Sequence, residues 1–519
     1  MLSRTYSAGI LGVEGYVITI EADVGLGLPC LTLVGQVSGA LHEARERVRS
    51  ALSHCGHAIP PRKQIVNLAP AEERKDSPGL DLAIACALLA SHGVIPAEAL
   101  AGSLLWGELA LDGVLRAAAG ALVVADTARR SGFERVFIAA DNAREAALIP
   151  GLDVAPVRSL PELIAHLRGE GALGPAPEAV EASGAGAGET SAALQGLPDM
   201  ADIRGLALPR RAVEVMVAGG HNLLLHGPPG VGKSMLARRV AGLMPPLDTE
   251  SALEVTKVHG VARRRMPGGL LRRPPIRMPH HTVSTAGLLG GGSPPRPGEV
   301  SLAHRGLLFL DELPEFPRAC IEGLREPLED GDVTLVRARY AVRYPARFQL
   351  MAAMNPCPCG WLGHPERACT DSPHAVRRYQ GRVSGPFLDR MDLVVPVTPL
   401  SPEELAQAAP GEPSAVVRGR IVAARERQRE RLAETGWVCN ADVPASGEAL
   451  ERLCPLEDDA RALLEALATR RQLSMRAMHR LRRVARTLAD LDPDADPRAP
   501  ITRPRIAVAA RLRQLPESL

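Results

Sequence analysis

The chain's 519 residues include 61 lysines and arginines against 59 aspartates and glutamates, a formal net charge of +2, and 46% of them are hydrophobic. That length is too great for one ordinary core and points to about three or four units. No run approaches the roughly 18 uninterrupted apolar residues of a membrane span, and the start, Met1-Leu2-Ser3-Arg4-Thr5-Tyr6, has no basic region leading into an apolar stretch, so the chain reads as cytoplasmic with no membrane partner.

In chain order, residues 1–169 alternate short Val/Ile/Leu strands with helical patterns and end in a helix-like stretch from Leu160 to Arg168, which predicts a self-contained α/β domain. Residues 170–197 are mostly Ala, Gly, Pro, Glu and Ser, too poor in large apolar groups to offset the entropy of ordering them, and predict a flexible linker. Residues 198–400 run strand, glycine loop, helix and further apolar strands, the grammar of a parallel sheet covered by helices. Residues 401–519 turn to Arg/Glu/Ala/Leu-rich text at helical spacing and predict a helical lid. Nine scattered cysteines, an odd number, argue against a disulfide framework and leave metal binding to be tested for Cys357, Cys359 and Cys369.

The strand-like Leu223-Leu224-Leu225 leads into Gly227-Pro228-Pro229-Gly230-Val231-Gly232-Lys233-Ser234, and the helix-forming Met235-Leu236-Ala237-Arg238 follows. In such a strand-loop-helix unit the glycines let backbone N–H groups surround phosphate oxygens, Lys233 reaches the β and γ phosphates and Ser234 ligates Mg²⁺, so ATP with Mg²⁺ is the implied ligand. Lysine occurs otherwise only at Lys63, Lys75 and Lys257, which singles Lys233 out. A second apolar run, Leu307 to Leu310, delivers Asp311, suited to the Mg²⁺ shell, and Glu312, suited to orient and polarise the attacking water. A third, Phe348 to Met354, ends at Asn355, whose amide can bond the water or the γ-phosphate.

Further blocks carry a resemblance. Gly219-Gly220-His221-Asn222, Pro279-His280-His281-Thr282, Pro297-Gly298-Glu299-Val300-Ser301-Leu302-Ala303-His304, Pro327-Leu328-Glu329-Asp330-Gly331, Asn355-Pro356-Cys357-Pro358-Cys359-Gly360 and Pro386-Phe387-Leu388-Asp389-Arg390-Met391-Asp392 together resemble the magnesium-chelatase-like AAA+ ATPases of the ComM/YifB type. That resemblance implies an α/β chain with a Lon-protease-like N-terminal domain, an AAA+ P-loop parallel-sheet core and a C-terminal helical lid. It makes Asn355 the sensor-1 residue, Arg390 an arginine finger facing a neighbouring subunit's nucleotide and Arg476 the sensor-2 arginine, and therefore implies a homo-oligomeric ring, usually a hexamer. Proteins of this type are associated with branch migration during recombination of incoming DNA in natural transformation, so DNA, branched or single-stranded, is the implied partner. A magnesium-chelatase motor subunit and a protein-remodelling ATPase are the alternatives.

Two departures from the family pattern bear on function. In the N-terminal run Lys75-Asp76-Ser77-Pro78-Gly79-Leu80-Asp81, Gly79 stands where the nucleophilic serine would be, and residues 120–132 hold no lysine base, so a non-proteolytic scaffold or binding module is expected with Ser77 as a rival nucleophile. In the cysteine loop, 357–374, Asp371 falls where a fourth cysteine would. Three thiolates with Asp371, His364 or His374 could close a tetrahedral zinc site, and a metal-free loop of ordinary thiols is the equal alternative. Arginines 263, 264, 265, 272, 273 and 277 with His280 and His281, and the alternating Arg337, Arg339 and Arg343, are candidate phosphate contacts, whereas the sign-alternating 425–431 reads as an exposed helical face.

Overall fold

The computed structural model describes residues 2–35, 39–72, 75, 77–175, 196–263, 269–293, 295–337, 340–364, 366–444, 447–494 and 496–514. Asp76, Arg264, Arg265, Arg339 and most of the expected linker lie outside the described residues. Two compact units emerge: Met1–Ala185 with Ala252–Leu271 and Ala338–Tyr344, and Gly186–Ser251 with Arg272–Arg337 and Pro345–Leu519.

In the first unit β1 (Ser3–Leu11) pairs antiparallel with β2 (Glu14–Gly25), and β3 (Cys30–Val34) and β4 (Lys63–Ala69) complete a four-stranded sheet in the order β1-β2-β4-β3. Helix α1 (Asp81–Ser91) is apolar around its whole circumference, and every residue of it is buried, as such a helix requires. A second, parallel sheet joins β5 (Ser103–Trp106), β6 (Arg135–Ala139) and β7 (Asp153–Val157), and the stretch expected to be helical from Leu160 forms a helix over Leu160–Leu167. Two segments from the middle of the chain belong to this unit. Lys257 forms a buried ion pair with Asp126, which Arg129 and Arg130 also reach at 3.1 and 2.9 Å. Val342 lies over the turn at Gly12, where a Cβ would come within 2.5 Å of its Cγ1.

The second unit is built on five parallel strands, β8 (Leu223–His226), β9 (Ile276–Arg277), β12 (Leu307–Leu310), β15 (Gln349–Met354) and β16 (Leu393–Pro396), in the order β9-β12-β15-β8-β16. Between β9 and β12 runs the short antiparallel pair β10 (Gly290–Gly291) and β11 (Arg296–Pro297), and β13 (Asp332–Arg337) follows β12, with β14 (Tyr340–Pro345) next in the chain. Leu307-Leu308-Phe309-Leu310 is buried at every residue, as an apolar run in a sheet covered on both faces requires. The chain leaves the sheet at β8 and re-enters at the far edge, β9, so a crevice opens beyond the carboxyl ends of β8 and β15, where ligands bind in sheets of this kind. Beyond residue 401 the regular elements of the described residues are all helices, apart from isolated bridges, with Ser414–Leu432 and Met475–Asp490 packed on Ala207–Gly219. This is the mixed α/β fold with parallel sheets and a helical C-terminal region that the sequence predicts. Among the described residues no helix is long and apolar enough to cross a membrane.

Candidate functional site

The loop after β8 takes a shape that its glycines permit. Gly230 and Gly232 have φ of 79° and 97°, and a Cβ on Gly227 would stand 2.2 Å from the Val397 carbonyl oxygen. Lys233 opens the helix Lys233–Arg239 with its side chain turned back into the loop, donating to the carbonyls of Gly227 and Pro228 at 2.6 and 2.7 Å and to Asn355 Oδ1 at 3.0 Å. Burial lowers its pKa to about 8, against the opposing pull of Asp311 and Glu312. Ser234 Oγ donates to Asp311 Oδ2 at 2.5 Å, and the other oxygen of Asp311 accepts the backbone N–H of Glu312 at 3.0 Å.

Residues from three adjacent strand ends are thus linked into one polar network at the carboxyl edge of the sheet. Glu312 sits in the left-handed region at φ 53° and ψ 48°, a conformation costing an L-residue roughly 1–2 kcal/mol. Its side chain is 52% exposed and has His281 Nδ1 at 3.5 Å from Oε2. A cationic ammonium in a glycine loop at a helix start suits a polyphosphate, and a hydroxyl beside a carboxylate suits Mg²⁺, so the residues present fit a magnesium nucleotide.

Sequence reasoning missed the wall beside this loop. Leu206, left-handed at φ 48°, lies against it, with Cδ1 3.5 Å from where a Cβ on Gly232 would stand, and the preceding Gly205 packs on Leu400, whose Cδ1 is 2.6 Å from a Cβ built there. Apolar residues carry no chemical signature, and only their position beside a phosphate loop gives them meaning.

Arg390 is 7% exposed and held within its own chain by an ion pair with Glu329 and by bonds to the carbonyls of Pro386, at 2.6 Å, and Arg325, at 3.3 Å. Its acidic partner is neither Asp389 nor Asp392. Asp392 instead forms a hub, accepting from Arg480 at 3.1 Å, Arg483 at 3.5 Å and the backbone of Asn222 at 2.9 Å. Burial would raise its carboxyl, but Arg480, His221 and Arg483 hold it at about 2. His221, wholly buried and bonded to Thr487 at 2.8 Å, is lowered by that burial to about 4. The helix Met475–Asp490 is thereby fastened to the segment that carries Arg390. Arg476 is exposed in the first turn of that helix, which Ser474 caps by accepting from Ala477 N at 3.2 Å.

Three thiols converge in the loop after Asn355. Cys357, Cys359 and Cys369 have Sγ to Sγ distances of 3.3, 3.6 and 3.5 Å, and Asp371 completes a four-ligand group whose ligand atoms all lie within 4.8 Å of one another. Thiolates about 2.3 Å from a tetrahedral zinc stand about 3.8 Å apart, so the spacing fits such an ion. His364 is not in that group; its Nδ1 accepts from the backbone of Glu366 and Arg367 at 3.1 Å. Gly360 brings this loop onto the phosphate loop, since a Cβ there would be 2.6 Å from Pro229 Cδ.

Several arginines read as free by sequence are engaged. Arg277 makes a bidentate pair with Glu299 at 2.6 and 2.8 Å, which takes it out of the candidate phosphate contacts. The run 425–431 is not an exposed face throughout: Arg425 bonds the Val217 carbonyl at 2.7 Å, Gln428 is fully buried and Arg431 is locked to buried Asp490 at 2.7 Å. Arg296 and Arg337 are exposed, Arg296 is paired with Gly291, and Arg337 Nη2 lies 3.6 Å from where a Cβ on Gly291 would stand.

Comparison with known proteins follows these features along the chain. Residues 199–405 match the family model described as magnesium chelatase, subunit ChlI, residues 20–142 match that for subunit ChlI of Mg-chelatase, and residues 411–513 match that for its C-terminal region. The chain is 42% identical to YifB of Escherichia coli (strain K12) over 494 residues, 95% of this chain and 94% of that one. It is 38% identical to competence protein ComM of Haemophilus influenzae over 517 residues, 99% and 98% of the two chains. The chain belongs to the ComM/YifB group of magnesium-chelatase-like proteins. Similarity to the magnesium-chelatase 67 kDa subunit of Chlorobaculum parvum is 24% over 204 residues, 38% of this chain and 26% of that one.

Within this ComM/YifB chain, the N-terminal run around Gly79 is packed shut. A Cβ on Gly79 would stand 2.4 to 2.6 Å from three atoms of the buried Trp106 indole, so no serine fits there. Ser77 Oγ accepts the Gly79 N–H at 3.3 Å, and buried Lys75 donates to the Pro70 carbonyl. Asp81, pushed up to about 6 by burial, pairs with Arg47 at 2.7 Å and accepts Leu109 N at 3.2 Å. Among the described residues of this run, Lys75, Ser77 and Asp81 each have a partner.

Proposed function

We propose that this chain is an AAA+ ATPase that assembles as a ring, a hexamer, and couples ATP hydrolysis to remodelling of branched DNA, with a closed, non-proteolytic Lon-like domain at its N-terminus and a helical lid at its C-terminus. The observation that carries this reading is the network joining Lys233 to Asn355 and Ser234 to Asp311 at neighbouring strand ends. In it Lys233 exchanges loop carbonyls for phosphate oxygens, Ser234 and Asp311 hold Mg²⁺, Asn355 positions the γ-phosphate and Glu312 orients the attacking water. Magnesium, when bound, supplies charge neutralisation at the β and γ oxygens. Arg390 serves the neighbouring subunit by leaving Glu329, and Arg476 approaches the nucleotide from the lid.

The choice of DNA is supported by the similarity to a competence protein over almost the whole chain and by exposed Arg296 and Arg337, the first paired with Gly291 and the second close to it. With aromatics at only 3%, contact is electrostatic and largely independent of base sequence. The test is ATP turnover of the purified protein at low salt. Forked or four-stranded DNA is expected to raise it, while linear duplex and porphyrin do not; stimulation by porphyrin alone would favour a chelatase motor, and no response to any DNA would remove the DNA reading.

The cysteine cluster is read as a zinc site with Cys357, Cys359, Cys369 and Asp371 as ligands. Elemental analysis of protein purified without added metal is expected to find about one zinc per chain, as one tetrahedral site requires, and Cys369→Ser to lose it. A zinc content near zero in the unaltered protein would leave ordinary thiols.

A further inference from the structure

We infer that Arg480, together with Asn222, is a positioning residue for Arg390, and so governs hydrolysis in the neighbouring subunit and not in its own. The inference rests on the proposed role of Arg390 across the subunit interface and adds what aims it. An arginine that must meet a transferring phosphoryl group needs a fixed main chain, because a misplacement of about 1 Å costs on the order of 10²-fold in rate. Residues 390–392 lie between the short helix Gly385–Leu388 and β16, outside both, so their carbonyls take partners from elsewhere.

Those partners are side chains. Asn222 Nδ2 donates to the Arg390 carbonyl at 3.1 Å, and Arg480 Nη1 donates to the same oxygen at 3.3 Å. Arg513 donates to the carbonyls of Met391 and Asp392. Arg480 Nη1 also meets the buried Asp392 carboxylate at 3.1 Å, so one nitrogen ties both main chain and side chain of this segment. The Asn222 amide is oriented by a second bond: its Oδ1 accepts Leu350 N of β15 at 2.9 Å, which turns its NH2 group to Arg390.

Both donors connect to the chain's own nucleotide site. Asn222 runs directly into β8, whose far end carries the phosphate loop. Arg480 stands on the helix Met475–Asp490 four residues after Arg476, which puts the two on one face, about 6 Å apart along the axis. A shift of that helix when Arg476 meets ATP therefore moves the Arg390 carbonyl as well, and the state of one site passes to the next.

The experiment is mixing of full-length subunits, read as ATP hydrolysis, with ring assembly and affinity for a fluorescent ATP analogue measured on each variant. Arg480→Met keeps the reach of the side chain, and Asp392 keeps Arg483 and the Asn222 N–H, so the buried carboxylate is not stripped of partners. Alone, this variant is expected to lose roughly 10- to 100-fold in kcat, with KM and analogue affinity near the unaltered values. Mixed with Lys233→Ala subunits, which carry an intact arginine but no working site, it is expected to recover hydrolysis in part. Mixed with Arg390→Ala subunits, it is expected to recover none. Asn222→Asp keeps the acceptor for Leu350 N but turns an oxygen toward the Arg390 carbonyl; it is expected to follow the same pattern, and it decides the matter if Arg480→Met does not assemble. Weakened analogue affinity in both variants would place Arg480 and Asn222 in their own chain's site and overturn the inference. So would no recovery with Lys233→Ala subunits where Arg390→Ala does recover. Failure of Arg390→Ala to recover is a separate result, against an arginine acting in trans at all, and the positioning role falls with it.

Discussion

Replacing Glu312 with glutamine is expected to leave ATP binding intact and to cut turnover by roughly 10²- to 10⁴-fold, the range a positioned general base contributes. Glutamine keeps the size and the left-handed backbone turn but cannot accept a proton from water. Lys233→Ala is expected to fail one step earlier. The ammonium is the one buried cation of the loop, and a charge-assisted bond to it is worth about 1.5–3 kcal/mol, so removing several such bonds lowers ATP affinity by well over 10²-fold. The pair is separated by two measurements, equilibrium binding of a fluorescent ATP analogue and release of phosphate. Normal turnover by Glu312→Gln would remove the water-orienting assignment, and tight ATP binding by Lys233→Ala would remove the phosphate loop as the site.

Arg390→Ala is expected to lower ATP hydrolysis by about 10³- to 10⁵-fold, as loss of an arginine supplied in trans does. The same loss would follow from simple damage to the fold, because Arg390 also holds Glu329 and two backbone carbonyls. Mixing distinguishes the two. An Arg390→Ala subunit retains its own nucleotide site, and a Lys233→Ala subunit retains its arginine, so an interface between them rebuilds one complete site. Partial recovery of hydrolysis in the mixture is the expected result; none, despite demonstrated co-assembly, would assign Arg390 to its own chain's structure.

How far the sequence carried differs by residue, for physical reasons. Asp311 and Asn355 were legible because each follows a short apolar run, and Lys233 and Ser234 because they close the glycine loop that follows another; a parallel sheet with its strand ends aligned must bring such ends to one edge. The convergence of Cys357, Cys359 and Cys369 was suggested by type and spacing, but the choice among Asp371, His364 and His374 depended on how the loop turns, and it turns Asp371 inward. Arginine was the least readable residue. In a chain with lysine at only four positions, the same guanidinium serves as surface charge, as backbone clamp and as buried ion-pair partner, and the text around Arg277, Arg425 and Arg431 does not tell these apart.

By itself the sequence determined the local elements that carry chemistry: the strand, glycine loop and helix of the phosphate site, the acidic strand end, the amide strand end and the helical C-terminal region. These follow from residue type and from periods of two and 3.6, which need no partner to be read. Only the tertiary structure decided that Ala252–Leu271 and Ala338–Tyr344 belong with the N-terminal unit, that Trp106 fills the space beside Gly79, that Asp392 gathers two arginines and that His281 meets Glu312. Each is an encounter between residues far apart along the chain, set by how packed surfaces fit, and a linear pattern carries no record of it.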